Sequence, residues 1–191
     1  MIFINYFISD LHFGHVNALS FDNRPFTEIE KHDEALIKNW NERVGIDDEV
    51  YVLGDISFHN ATKTAEIFSS LNGKKHLIKG NHDGKLLKGT LVRNQFVEIC
   101  DYKELYVGDN KYVVLSHYPI VCFRGHYYGW VHLYGHVHDS YEWNIVQHQK
   151  FLMEQLYDKQ CNMFNVGCMI PYMNYCPRTL EEIINANSFT G

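Results

Sequence analysis

Five short polar blocks punctuate this 191-residue chain: Asp10-Leu11-His12, Gly54-Asp55, Gly80-Asn81-His82-Asp83, Ser116-His117 and Gly135-His136-Val137-His138. Each follows on, or closes, a short apolar run. Those runs, at 3–9, 50–53, 76–78, 112–116 and 130–134, read as strands. In α/β folds, ligands and catalytic groups gather beyond the carboxyl ends of strands, so five such clusters are expected to converge. D-x-H and H-x-H in extended backbone put both side chains on one face. Gly54, Gly80 and Gly135 let the chain turn sharply beside a ligand. The donors are carboxylates, an amide and imidazoles, with no thiolate. That set favours Mn, Fe, Zn or Ni over Ca or an iron–sulfur cluster.

Between the blocks, Thr27 with Glu30 and Thr179 with Glu182 form T-x-x-E capping boxes. They predict helices over 28–44 and 180–187, and apolar spacing predicts another over 61–71. Residues 11–26 read as a long loop. Runs 97–107 and 112–116 flank Gly108-Asp109-Asn110 as a hairpin, and 163–166 reads as a further strand. Helices alternate with strands in the first half and strands dominate the second, which is a mixed α/β sandwich pattern. With 46% hydrophobic and 15% aromatic residues the chain has material for a large core, and no linker or repeat divides it, so 1–191 is expected to be one domain.

A net charge of −6 argues against a nucleic-acid binder that relies on general basicity. No apolar run reaches the ~18 residues of a membrane span. The opening MIFINYFISD lacks a basic n-region and reads as a strand, not a signal peptide. Five cysteines without a CxxC point to a reducing, cytoplasmic setting. The unusual number is twelve histidines, which suggests metal ligation, acid–base chemistry or both.

The ordered set D-x-H, G-D, G-N-H-D, H and G-H-x-H resembles the calcineurin-like metallophosphoesterases. The flanks SDLHFGH, NRPF and HLYGHVHD and the tail NVGC…PRTLEEI are similar to small single-domain bacterial and phage members. The resemblance implies a four-layer αββα sandwich, an α/β (α+β) fold of two mixed sheets flanked by helices. It also implies two divalent metal ions, with manganese ahead of Fe, Zn or Ni. Asp10, His12 and His138 would hold one ion, and Asn81, His117 and His136 the other, with Asp55 shared between them. A bridging hydroxide would attack phosphorus, and His82 would protonate the leaving oxygen. Asp83 would orient the His82 imidazole and favour its protonated form.

The expected activity is hydrolysis of a phosphomonoester or phosphodiester in a small nucleotide-like substrate. A nuclease acting on single strands ranks second, kept open by five lysines against one acid in residues 74–88. A catalytically silent metal-binding scaffold is the non-enzymatic alternative. Around the centre, His15, Arg24, Arg124 and His126 are candidate substrate contacts. Arg24 is weighed against a salt bridge at the start of a helix, and Arg124 and His126 against plain surface roles. His132 is expected to pack or to support a ligand. Tyr118, Phe123, Tyr127, Tyr128 and Trp130 are weighed between core packing and base stacking. No membrane partner is expected, and the oligomeric state is open.

Overall fold

The computed structural model describes residues 3–138 and 140–188. Along the chain run β1 (Asn5–Ile8), α1 (Val16–Phe21), α2 (Ile29–Arg43), β2 (Glu49–Val52), α3 (Ala61–Ser70), β3 (Lys74–Ile78), α4 (Thr90–Arg93), β4 (Glu98–Cys100), β5 (Tyr102–Tyr106), β6 (Tyr112–Ser116), β7 (Val131–Tyr134), α5 (Tyr141–Tyr157), β8 (Met163–Asn165), β9 (Arg178–Thr179) and α6 (Leu180–Ser188). They form two mixed sheets flanked by helices, as the sequence led us to expect. One sheet has the order β4-β3-β2-β1-β9 and the other β5-β6-β7-β8. In the first, β1 to β4 are parallel and β9 is antiparallel to β1. In the second, β6, β7 and β8 are parallel and β5 is antiparallel.

Burial explains why the strands read differently in sequence. In β1, Tyr6, Phe7 and Ile8 all lie in the main core, as do Val50, Tyr51 and Val52 of β2. Parallel strands covered on both faces are continuous apolar runs. In the second sheet the faces separate. Val113, Leu115, Val131, Leu133 and Phe164 enter the main core, while Val114, Tyr134 and Met163 enter a smaller one under Val146 and Met153 of α5. That is period-two alternation with a different layer on each side.

Several sequence expectations need correction. Residues 11–26 are not all loop, since α1 lies within them. Helix α2 begins at Ile29 with Glu28 as N-cap and no side-chain cap bond, so the Thr27–Glu30 box does not form. The Thr179–Glu182 box does: Thr179 N–H donates to Glu182 Oε2 (2.9 Å) and Glu182 N–H to Thr179 Oγ1 (3.3 Å). The hairpin between β5 and β6 turns through Gly108, Asp109 and Asn110, all at positive φ. However, the expected first arm is split: β4 pairs with β3 in one sheet and β5 with β6 in the other. Asp101, between them, pairs with Lys79 at 2.7 Å. The seventeen-residue helix α5, capped by Ser140, was not foreseen. Among the described residues, no helix is long and apolar enough to cross a membrane.

His132 packs instead of supporting a ligand. It is buried in β7, its Nδ1–H donates to Val114 O (3.0 Å), and its Nε2 accepts from Ile120 N–H (3.0 Å). Burial pulls its pKa down to about 4. The unfolded chain therefore takes up this proton first, near ~6.5. The stability His132 contributes is complete above that pH and is lost toward pH 4, with a drop on the order of 2 kcal/mol between pH 7 and pH 5. The stability gap between the wild-type chain and His132→Asn should accordingly narrow over that interval in urea melts. Parallel pH profiles would contradict this.

Candidate metal centre

Main-chain contacts between strand ends bring the five blocks together. Asp10 N–H donates to Gly54 O (3.1 Å), His12 N–H to Asp55 O (3.0 Å), and Gly135 N–H to His117 O (2.9 Å). Asp10, His12, Asp55, His136 and His138 all sit at positive φ, between 46° and 70°. Non-glycine residues rarely occupy this region, at a cost of about 1–3 kcal/mol each, and they persist only where their surroundings enforce it. Of the three glycines before ligands, Gly54 sits at positive φ (86°), whereas Gly80 and Gly135 do not. They permit close approach: a Cβ on Gly80 would stand 2.5 Å from Asp55 N, and one on Gly135 would press on Ser9 Oγ and stand 2.5 Å from Asp10 Oδ2. Gly135→Ala should displace the Asp10 carboxylate, costing about 1–3 kcal/mol of stability and lowering metal affinity. Thermal melts in chelator and a metal titration read the two effects separately.

The carboxylates of Asp10 and Asp55 are buried at the centre. Asp10 accepts from His136 N–H at 3.2 and 3.1 Å, and Asp55 Oδ1 from His82 N–H at 2.9 Å. Their other contacts are imidazole nitrogens. Asp10 Oδ1 is 3.6 Å from His138 Nε2 and 4.0 Å from His12 Nε2. Asp55 Oδ2 is 3.6 Å from His117 Nε2, 3.8 Å from His12 Nε2 and 3.9 Å from His82 Nε2. Asn81 Oδ1 lies 3.0 Å from His117 Nε2. Among the described residues, two groups are compact enough to hold an ion, with ligand atoms within 4.8 Å of one another: Asp10, His12 and His138, and Asp10, Asp55 and His117.

Tautomers favour the same reading. His117 Nδ1–H donates to Leu53 O (2.7 Å), and His138 Nδ1–H to the Asp22 carboxylate (2.8 Å), so each ring turns Nε2 inward as the ligand atom. Among the described residues, His12 Nε2 is buried without a hydrogen-bond partner. Such an orphan costs about 1–3 kcal/mol, and a cation between these carboxylates and imidazoles would satisfy it. Burial, with Arg24 and the neighbouring histidines, holds His12 well below its usual pKa, which keeps it in the neutral ligating form. For His138, burial pulls down, but the Asp22 hydrogen bond and the Asp10 charge outweigh it and raise the pKa. The residues present thus fit divalent metal ions.

His136 lies outside both compact groups. Its ring packs against His117 and Tyr118, and its Nε2 is 3.8 Å from Glu142 Oε2. His82 is exposed at the mouth, beside Phe58. Asp83 does not orient its ring. The buried Asp83 carboxylate accepts instead from the N–H groups of Asp55 (3.1 Å), Ile56 (2.9 Å) and Gly80 (2.7 Å), locking two ligand loops together.

Among the candidate substrate contacts, His15 stays at the site, with Nδ1 3.0 Å from His12 Nδ1 and its ring stacked on Phe58 at 3.7 Å. Arg24 is turned inward, away from the cleft, and its salt bridge is to Asp22, not to an acid of α2. It is buried, giving Nε and Nη2 to Asp22 Oδ2 (2.9 and 2.8 Å), Nη2 to Asp10 O (3.1 Å) and Nη1 to His32 Nε2 (2.8 Å). Arg124 is exposed on Glu104 (2.6 Å) and against Trp130, and His126 Nδ1 binds Phe123 O (2.8 Å). The structure brings neither to the centre. Of the lysines, Lys74 pairs with Glu49, Lys75 with Leu71 O and Lys79 with Asp101, while Lys85 and Lys88 are exposed just beyond His82. Phe123 is core, Trp130 stacks on Tyr112, and Tyr118 alone of the aromatic set touches ligand rings.

Three site residues were missed. Asp22 couples Arg24 to His138, and Phe21 and Phe58 rim the histidines. Nothing local in the sequence marks them, except that Asp22 and Arg24 flank the turn residue Asn23.

A carboxylate–imidazole cluster at the strand ends of two mixed sheets defines the class of metal-dependent phosphoesterases. The chain belongs to the calcineurin-like phosphoesterase family, whose model matches residues 6–164. It is 36% identical over 138 residues to an uncharacterized protein of Methanocaldococcus jannaschii, covering 71% of this chain and 70% of that one. It is 40% identical over 82 residues to the Gene 66 protein of Mycobacterium phage L5, covering 41% of this chain and 39% of that protein. A crystal structure of a protein of unknown function from Aquifex aeolicus superposes with a TM-score of 0.71 at 25% identity, over 97% of this chain and 100% of that one. The HLYGHVHD flank ends on Asp139, which lies outside the described residues.

Proposed function

We propose that this chain hydrolyses a phosphomonoester or phosphodiester bond in a small nucleotide-like substrate, using two divalent metal ions, manganese first. The observation that carries the reading is His12 Nε2, buried, facing two carboxylates and without a hydrogen-bond partner among the described residues. Asp10, His12 and His138 would hold one ion and Asn81, His117 and His136 the second, with Asp55 common to both. Bound there, divalent ions supply Lewis acidity, lowering the pKa of water and neutralising phosphate oxygens as charge develops.

The remaining work falls to side chains. His82 stands at the open mouth, where it would give its proton to the leaving oxygen. Asp83 is a positioning residue that holds the Asp55 and Gly80 loops. Phe21, Phe58 and Tyr118 form an exposed aromatic rim on which a base would stack, and His15 backs Phe58. All five cysteines are free, which supports a cytoplasmic setting.

A nuclease is the second reading, favoured by exposed Lys85 and Lys88, three and six residues after His82 in the chain. A Mn²⁺-supplemented panel of mononucleotides, cyclic nucleotides, dinucleotides and single-stranded DNA separates the two. Turnover of small esters with little salt dependence is expected. Preference for DNA with a steep fall in salt would favour the nuclease. No turnover on any of them, with metal bound, would leave the silent scaffold.

A further inference from the structure

Helix α5 has a second apolar face. Val146 and Met153 turn into the smaller core, but Tyr141, Ile145, Leu152 and Leu156 are all exposed, Tyr141 at 78% and Leu156 at 74%. At 3.6 residues per turn these four fall within a ~60° arc and form one stripe ~22 Å long. Together they present on the order of 500 Å² of side-chain surface, the scale at which patches on a monomer are often functional.

The spacing along the stripe is four, seven and four residues, which reads the same in either direction. That is the condition for an isologous contact, in which residue i meets j and j meets i. Laid antiparallel about a point between His148 and Gln149, Tyr141 meets Leu156 of the partner subunit and Ile145 meets Leu152 of the partner subunit. In that register Glu142 falls opposite glutamine 155, Lys150 opposite glutamine 147, and no like charges oppose. A parallel pairing would set Glu142 and Glu154 each against its own copy. We propose that a second copy of this chain docks on this stripe, making a two-fold dimer through antiparallel α5 helices. The stripe alone would bury on the order of 500 Å² on each copy, about 1,000 Å² in total, which is the least a specific interface needs and marks a weak dimer. Glu142 and Ile145 also line the cleft that reaches His136, so the partner's helix end would wall one side of it.

Sedimentation equilibrium tests this. The wild-type chain should dimerise across ~1–200 µM. Leu156→Glu and Tyr141→Lys should each be monomeric with unchanged melting temperatures, since both side chains stand in solvent. The double variant should dimerise again at low salt and dissociate at high salt, because each lysine then faces a glutamate of the other copy. A monomeric wild-type chain, or a Leu156→Glu chain that remains dimeric, would overturn the interface. Failure of the double variant to recover would overturn the antiparallel register.

Discussion

Replacing Asp22 with alanine should cost the fold about 3–5 kcal/mol and weaken metal binding ten- to a hundredfold. Asp22 is one carboxylate with two buried dependents. Its Oδ2 takes both Nε and Nη2 of Arg24, and the same group accepts Nδ1–H of His138. Burial raises its pKa, but the His138 hydrogen bond and Arg24 outweigh that and lower it, so it is a carboxylate across the neutral range. Without it a buried guanidinium loses its counter-charge, and Arg24 also holds Asp10 O and Leu11 O. Asp22→Asn separates the roles. It keeps an acceptor for Arg24 and should melt closer to wild type, yet it no longer fixes His138 as a charged partner and should still bind metal more weakly. Equal metal affinity for Asp22→Asn and wild type, measured by competition with a chromogenic chelator, would contradict the coupling.

His82→Ala should lower kcat by about 10²–10⁴-fold while metal content and melting temperature stay near wild type. The ring is exposed, its Nε2 stands 3.9 Å from Asp55 Oδ2, and it belongs to neither compact ligand group. A lost proton donor matters most when the leaving group is a poor one. The deficit should therefore be large on an alkyl ester and small on a p-nitrophenyl ester, whose leaving oxygen needs no proton. Equal deficits on both esters, or loss of bound metal, would mean that His82 acts otherwise.

Much of the site was legible because its chemistry is local in sequence. D-x-H, G-D, G-N-H-D and G-H-x-H each sit at a strand end, and parallel pairing of β1, β2 and β3, and of β6 with β7, carries those ends to one edge. What escaped was set by tertiary contact. Arg24 looks like an exposed phosphate clamp in sequence, and only the packing of Asp22 and His32 around it makes it internal. Asp83 adjoins His82 in sequence, but its carboxylate is turned to three amides. Arg124 shares the loop between His117 and His136, but Glu104 of β5 holds it outside. Helix α5 escaped because its exposed stripe blurs the single apolar face on which periodicity depends. The first arm of the hairpin was misread because residues 97–107 are apolar enough for one strand, whereas their two halves serve different sheets.

The most direct measurement is hydrolysis of bis-p-nitrophenyl phosphate by the chelator-treated chain as Mn²⁺ is added back stoichiometrically, with bound metal counted in parallel. Activity should be absent without metal, rise until two ions per chain are bound, and vanish in Asp55→Ala, which removes the carboxylate nearest His12, His117 and His82. Two bound ions with no hydrolysis of this diester or of a monoester panel, or full activity in the presence of chelator, would contradict a dinuclear hydrolytic centre.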